Sequence, residues 1–384
     1  MRPLVEPGAE LTTAEVRRYS RHLLLPDIGV DGQRRLKNAR VLVVGAGGLG
    51  SPALTYLAAA GVGTIGVVDD DVVEESNLQR QVVHSTADLG RPKVDSAVDA
   101  LAALNPLVTV VPHRERLTAD NALELLAGYD LVLDGADNFS TRYLVSDACT
   151  LAGVPEVWGS VFRFDGQVSV FWSGHGPTYR DLFPEAPPPG AVPSCAEGGV
   201  LGAMCASVGS VMATEAVKLI TGAGMSLLGR LLVLDALDMS WRTVRVRTPV
   251  TPTVVTALVD EVAACAPLPA PLAGEVLTAR ELADLLAARD RGETDFELVD
   301  VRGADEAAVV SIPGARLVPL PRVLAGEAEH ALPRDRRVVL HCKSGGRSAQ
   351  ALAALREQGF RDVAHVDGGV LAWVRDVDPT LPSY

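Results

Sequence analysis

Cysteine is scarce in this sequence. There are five in 384 residues, an odd number scattered along the chain, which excludes a disulfide framework. Positive charge is in deficit as well: 35 lysines and arginines face 48 aspartates and glutamates, a formal net charge of -13. A balance of that sign argues against a general binder of nucleic acid or of anionic membranes. The opening stretch MRPLVEPGAELTTAEVRRYSRH is charged throughout and lacks the apolar centre of a secretory signal. Long, strongly apolar runs are missing too. The longest weakly polar stretch, from Gly198 to Thr214, is rich in Gly, Ala and Ser and then meets Glu215 and Lys218. A membrane span needs about 20 strongly apolar residues, so a buried helix is expected. These absences point to a cytoplasmic protein with neither a membrane nor a nucleic-acid partner.

What is present is a globular composition, 48% apolar, with frequent Gly and Pro and no repeat. A chain of this length holds two or three domains. Residues 14 to 38 read as amphipathic helix and turns. RVLVVGAGGLGSPALTYLAAAG reads strand, glycine turn, helix, and TIGVVDDD is a second strand ending in acids. RPKVDSAVDALAALN is helical, VTVVPHRERL a strand, ADNALELLAGY a helix, and DLVLDGADN a fourth strand. This alternation predicts an α/β fold, a Rossmann-like and mostly parallel sheet with helices on both faces. GQVSVFWSG and RLLVLDALDMSWRTVRVR alternate apolar and polar residues and predict an antiparallel extension. From Pro249 to Gly274 proline, alanine and small residues dominate, which marks a linker. A smaller α/β pattern follows: FELVDVR, VVLHC and VAHVDGG as strands, GGRSAQALAALREQG as a helix. The expected organisation is a domain over 1–248, a linker over 249–274 and a second domain over 275–384.

GAGGLG (Gly45, Gly47, Gly48, Gly50) follows a strand and opens a helix. Its glycines let backbone N–H groups approach phosphates beside a helix N-terminus. Asp69 ends the next strand, where an acceptor for ribose hydroxyls belongs. Alone, this fits NAD, FAD or ATP. Arg80 and Lys93 discriminate. A dinucleotide needs no such cations, whereas a triphosphate under attack needs charge neutralised on phosphorus and on departing pyrophosphate. Asp137 falls at the carboxyl end of the fourth strand, where sites of open α/β sheets lie, and a carboxylate there suits Mg²⁺.

YSRHLLLPDIG, GAGGLGSP, VDDDVVEESNLQRQ, GRPKVDSA, DGADNFSTRYLVSDAC and GSVFRFDGQVSVF together resemble the MoeB/ThiF adenylyltransferases, relatives of the ubiquitin-activating enzymes. The resemblance covers residues 14 to 248. It implies ATP binding at the glycine turn and adenylation of the C-terminal Gly-Gly carboxylate of a ubiquitin-like sulfur carrier. It implies that Asp69 binds ribose, that Ser76, Asn77, Gln79, Arg80 and Lys93 surround the triphosphate, and that Asp137 holds Mg²⁺ with Asn138 beside it. Arg21 matches an arginine that reaches the ATP site of another subunit, so a homodimer is implied. PSCAEGGVLG keeps Cys195, at a position where the family carries a cysteine acting during or after activation. Cys149 and Cys205 lie in apolar helical patterns and read as core.

One departure matters. The family usually carries two CxxC pairs around a structural zinc. Thr178 and Asp181 stand where the first pair would fall, and Thr251 and Val254 where the second would. Thr and Val supply no thiolate, so no structural zinc is expected, and other packing must hold the segment near 178 to 190.

At the other end stands HCKSGGRSAQA, in which four residues separate Cys342 from Arg347. Phosphatase loops are one residue longer and admit a phosphate; the shorter loop suits a single sulfur atom. Its N–H groups form an anion nest, the following helix adds its positive end, and Lys343 and Arg347 add charge. The arrangement favours a thiolate or persulfide. LVDVRGADE, SIPGA, HCKSGGRS and DGGVLAW resemble a rhodanese domain, which implies a sulfurtransferase with Cys342 carrying sulfane sulfur. Ser311 replaces the family's usual histidine and GADE loosens its usual glutamate pattern; neither is expected to touch the loop. The order of the two domains resembles the MoeZ-type fusion proteins. It implies that a persulfide on Cys342, charged by thiosulfate or a cysteine desulfurase, converts the activated carrier to a thiocarboxylate. Two other readings remain at this point: an NAD-dependent oxidoreductase fused to a phosphatase-like domain, and a non-catalytic binding module.

Overall fold

The computed structural model describes residues 1–186, 199–260, 274–327 and 332–384. They form two compact units.

The first unit is built on eight strands: β1 Arg40–Val44, β2 Thr64–Val68, β3 Thr109–His113, β4 Leu131–Asp134, β5 Glu156–Phe162, β6 Asp165–Phe171, β7 Arg230–Asp235 and β8 Ser240–Arg245. Their order is β3-β2-β1-β4-β5-β6-β7-β8. The first five run parallel and the last three antiparallel, the mostly parallel sheet with antiparallel extension that the sequence pattern predicts. Central strands are apolar throughout because both faces are covered: every residue of β4 is buried, and all of β1 after Arg40. Pro112 is tolerated because β3 lies at the sheet edge. The chain moves outward one way from β1 through β2 to β3, then crosses to β4 on the other side. Ligands of open α/β sheets bind beside such a switch point, outside the carboxyl ends of the strands.

The stretch after Gly198 contributes a core helix, Gly202–Thr221. Met204, Cys205, Val208 and Met212 on it are buried in the same cluster as Leu49, Ala53 and Leu57 of the glycine-turn helix. Close approach requires Gly209, where a Cβ would lie 2.6 Å from the Leu49 carbonyl oxygen. Glu215 and Lys218 sit in this helix at little cost because they pair with each other, and buried Glu215 also accepts from Leu227 N–H at 2.7 Å.

Of the segment near 178 to 190, where the first zinc ligand pair would fall, residues 187–190 lie outside the described residues, and side-chain contacts pack the part before them. Asp181 accepts from the N–H of Thr178 at 2.8 Å, closing the short helix Tyr179–Leu182. Arg180 forks onto Asp147 with two bonds of 2.7 Å. Tyr179 and Phe183 pack with Trp158 at centroid distances of 5.4 and 5.7 Å, a spacing typical of attractive ring pairs. Thr251 and Val254 are exposed. Half of the expected linker, residues 261–273, lies outside the described residues. Its leading part lies along the first unit: Asp260 accepts from Ala119 N–H at 2.9 Å and Leu258 packs against the cluster around Leu126.

The second unit is a parallel sheet of five strands: β9 Val276–Leu277, β10 Phe296–Asp300, β11 Arg316–Leu317, β12 Arg337–His341 and β13 Val363–Val366, in the order β11-β10-β12-β13-β9. Helices Ala279–Asp290, Gly346–Glu357 and Gly369–Asp376 cover its faces, burying Leu282, Leu352, Leu355 and Trp373.

Candidate active sites

At the switch point of the first unit lies a cavity of about 300 Å³, within the range of small-ligand sites. Gly45, Gly47, Gly48, Asp69, Arg80, Lys93, Asp137 and Asn138 all line it. The turn that opens it depends on two glycines. Gly45 has φ +90°, a left-handed value. Gly50 faces the Gly45 carbonyl so closely that a Cβ there would overlap its oxygen.

Asp69 does more than await a ligand. Its carboxylate accepts from Ala46 N–H at 2.8 Å and from Asp71 N–H at 2.9 Å, so β2 fixes the glycine turn. Burial lifts its carboxyl above the ordinary value, against the pull of Lys93 and of these N–H groups. Lys93 opens the helix Lys93–Leu104, is buried, and donates to Asp71 at 2.8 Å. Arg80 donates to the Ser76 carbonyl at 3.0 Å. Asp137 and Asn138 are exposed on the wall, and Asn138 caps the helix Phe139–Ala152 through Thr141 N–H at 2.9 Å. Beneath them Asp134 shapes the turn by accepting from Ala136 N–H at 2.9 Å; burial pushes its carboxyl up to about 6. His84 ties the turn to the Lys93 helix, with Nε2 at 3.0 Å from the Ala46 carbonyl and Nδ1 at 2.8 Å from Ser96 Oγ. Burial holds this imidazole below its ordinary value. It is therefore neutral near pH 7 and can donate at Nε2 while accepting at Nδ1.

Five of the expected residues do not line this cavity. Gly50 serves the closure of the turn, as above. Asn77 is buried, and its side-chain oxygen accepts from Glu74 N–H at 3.3 Å. Ser76 lies in the same short turn, with its hydroxyl 3.4 Å from Glu74 Oε2. Gln79 is exposed, and its carbonyl sits against Gly202. Arg21 is exposed on the helix Ser20–Leu23. Asp71, Gln81, Arg116, Arg142 and Cys205 line the cavity without having been singled out for it. Cys205 is core, as its pattern indicated, yet its sulfur also floors the glycine turn at Gly48. Cys195 lies outside the described residues.

In the second unit Cys342 follows β12 and is buried, 1% exposed. Gly345 N–H points at its sulfur at 3.1 Å. Gly345 has φ +102°, which turns this amide inward. The helix Gly346–Glu357 begins at the next residue. Gly369 of DGGVLAW packs directly on the Cys342 and Lys343 carbonyls, where any Cβ would overlap them, and Val370 N–H donates to the Cys342 carbonyl at 2.8 Å. The glycine pair therefore lets a second helix N-terminus clamp the loop.

One expectation needs correction. The GADE segment does reach the loop. Glu306 holds Arg347 with two bonds of 2.7 Å, so the arginine is committed to a carboxylate as well as to the loop. Burial would raise the Glu306 carboxyl, but Arg347 and Gly303 N–H outweigh it and hold it below the ordinary value. Tyr384, also missed, donates to Glu306 at 3.2 Å. Ser311 is exposed.

Both units have counterparts among known proteins. The ThiF family model fits residues 19–253, and the rhodanese-like domain model fits residues 278–376. The probable adenylyltransferase/sulfurtransferase MoeZ of Mycobacterium tuberculosis is 57% identical over 100% of this chain and 98% of its own length. The sulfur carrier protein adenylyltransferase of Thermus thermophilus is 56% identical over 62% of this chain and 89% of its own. The adenylyltransferase and sulfurtransferase MOCS3 of Drosophila yakuba is 39% identical over 99% of this chain and 88% of its own. Among solved structures, E. coli MccB superposes with a TM-score of 0.56 at 21% identity, covering 65% of this chain and 75% of that one, which speaks to fold alone. The chain belongs to the ThiF family and carries a rhodanese-like domain after its ThiF domain.

Proposed function

We infer that this chain is a bifunctional adenylyltransferase and sulfurtransferase that activates a ubiquitin-like sulfur carrier protein ending in Gly-Gly. The observation that carries the reading is the convergence of the glycine turn, Asp69, Arg80, Lys93 and Asp137 on one cavity, in the same chain as a cysteine whose loop amide points at its sulfur. Relatives named for both activities support it along the full chain.

In the first half-reaction the carrier's carboxylate attacks the α-phosphorus of ATP, and pyrophosphate leaves. A carboxylate is already ionised at neutral pH, so no general base is required. The site supplies positioning and charge neutralisation: Asp69 for the ribose, the glycine-turn amides with Arg80 and Lys93 for the phosphates. Asp137, exposed on the cavity wall with Asn138 beside it, would hold Mg²⁺, which neutralises phosphate charge when bound. Arg21, exposed outside the cavity of its own chain, would complete the site of a second copy, so the working form is a homodimer.

In the second half-reaction the terminal sulfur of a Cys342 persulfide attacks the acyl carbon and AMP leaves with its electron pair. A thiol, assigned to Cys195, then attacks the Cys342 sulfur of the acyl disulfide. This releases the thiocarboxylate and leaves a disulfide for reduction. Thiosulfate or a cysteine desulfurase supplies the sulfur. Asp181 is committed to Thr178, and Thr251 and Val254 offer no thiolate, so the donor set does not suit zinc and we propose none. The protein would work in the cytoplasm, without nucleic acid or membrane.

Mass spectrometry of candidate carriers after incubation with ATP, Mg²⁺ and thiosulfate tests the reading. A gain of one sulfur in place of one oxygen is expected; carriers unchanged in mass, with no ATP–pyrophosphate exchange, would overturn it.

A further inference from the structure

Tyr384 meets the sulfur loop from outside it. The Lys343 ammonium lies over its ring, 4.6 Å from the centroid, inside the range of cation–π attraction. Its hydroxyl accepts from Arg302 Nη1 at 2.6 Å and donates to Glu306 Oε1 at 3.2 Å. Glu306 is the acid that grips Arg347. Lys343 follows Cys342 directly and Arg347 closes the loop, so one phenol touches one of the loop's cations and the partner of the other.

The anchor beneath this phenol is rigid. Arg302 is fully buried, forks onto Asp300 and donates to the Val310 carbonyl at 2.8 Å. The ring of Tyr384 packs with Leu381 against the core around Trp373. Burial pushes the phenol up to about 12 despite Arg302, so it stays neutral and keeps its proton to donate.

We propose that Tyr384 is a positioning residue for sulfur transfer, fixing the charges of Lys343 and Arg347 about Cys342 for an anionic sulfur donor. The proposal rests on the sulfurtransferase reading above. With thiosulfate, the Cys342 thiolate attacks the outer sulfur. A bond forms between Cys342 and that sulfur, the sulfur–sulfur bond of thiosulfate breaks, and its electron pair leaves with sulfite. A singly charged nucleophile meets a doubly charged donor, so cations held in place lower the barrier. Cations that wander are screened by solvent and contribute less.

The test uses the full chain with Tyr384→Phe, Tyr384→Leu, Lys343→Gln and the double variant Lys343→Gln/Tyr384→Leu. It measures thiosulfate-to-cyanide transfer at several salt concentrations, with ATP–pyrophosphate exchange as the control for an intact first domain. Tyr384→Phe keeps the ring and loses the hydroxyl, and kcat/KM for thiosulfate is expected to fall about threefold. Tyr384→Leu loses both, with a fall of about tenfold and a shallower salt dependence. The step from Lys343→Gln to the double variant is expected to be smaller than the same tyrosine change in the wild type, because the ring has lost the cation it steadies. Equal activity of wild type and Tyr384→Phe overturns the proposal. So does an unchanged salt dependence, or a tyrosine effect of full size in the Lys343→Gln background, because each describes packing alone. If the unsubstituted protein shows no Cys342-dependent transfer, the sulfurtransferase reading falls and takes this inference with it; if only the tyrosine variants behave as wild type, this inference falls alone.

Discussion

Glu306 receives both terminal nitrogens of Arg347, each at 2.7 Å, across 41 residues of sequence. Both side chains are mostly buried, 10% and 17% exposed, so removing one partner strands the other. Glu306→Ala is expected to destabilise the second unit by roughly 2 kcal/mol, less than for a fully buried pair. Calorimetry of the full chain would show one transition lowered and the other unmoved. The pair also has a pH signature. The folded carboxyl of Glu306 lies below its ordinary value, so its contribution is present above the unfolded carboxylate value, about 4.3, and is lost as pH falls through the folded one.

His341 adds a second and earlier acid response. It is fully buried beside Cys342 with no hydrogen-bond partner at either ring nitrogen among the described residues, and burial pushes it down to about 4 against the pull of the Asp300 carboxylate, 3.8 Å from Nε2. The unfolded chain takes up a proton near pH 6.5 that the folded chain refuses until about 4. Stability from the neutral ring is therefore complete above about pH 6.5 and declines as pH falls toward 4, by on the order of 3 kcal/mol. His341→Met should flatten the stability of the second unit between those pH values. Urea titrations at pH 5 and pH 7 that show the same difference in wild type and variant would contradict this.

The two chemistries should separate cleanly by substitution. Lys93→Ala is expected to lower ATP–pyrophosphate exchange with a Gly-Gly carrier about 100-fold or more while leaving thiosulfate-to-cyanide transfer intact. Cys342→Ala should do the reverse. Cys195→Ala bears on release: without reductant, thiocarboxylate yield should fall while adenylation continues. A full yield would remove that cysteine from the mechanism.

Zinc should be dispensable. Protein washed with chelator is expected to hold no stoichiometric zinc by elemental analysis and to keep its melting temperature. One equivalent of tightly bound metal would show that ligands other than positions 178, 181, 251 and 254 assemble a site.

The legible parts of this molecule were those with a local signature. Buried central strands show as apolar runs, and the turn between β1 and its helix shows as glycines because Gly45 needs φ +90° and Gly50 tolerates no Cβ. Cys342 shows through its fixed spacing to Arg347. Ser76 and Asn77, named for the triphosphate by the family resemblance alone, sit between Asp69 and Arg80 in sequence, and their side chains bond within the turn they form. The link from Glu306 to Arg347, and from Tyr384 to both Arg302 and Lys343, joins segments far apart along the chain with no periodicity to announce it. Arg142 carried no such signal, standing among Ser140, Thr141 and Asp147 in a mixed helix; it is buried, donates to the Ala136 carbonyl at 3.1 Å and so braces the turn that presents Asp137.

A segment anchored by the rings of Trp158, Tyr179 and Phe183 and by the fork from Arg180 to Asp147 assembles from its own side chains. With no zinc, as proposed above, its folding would not wait on metal delivery, and oxidants that strip zinc from thiolates would find no thiolate at positions 178, 181, 251 and 254. In the mechanism proposed above, which passes through persulfides and disulfides, that would separate the scaffold from the reagent: sulfur traffic at Cys342 could rise and fall while the packing of this segment stayed unchanged.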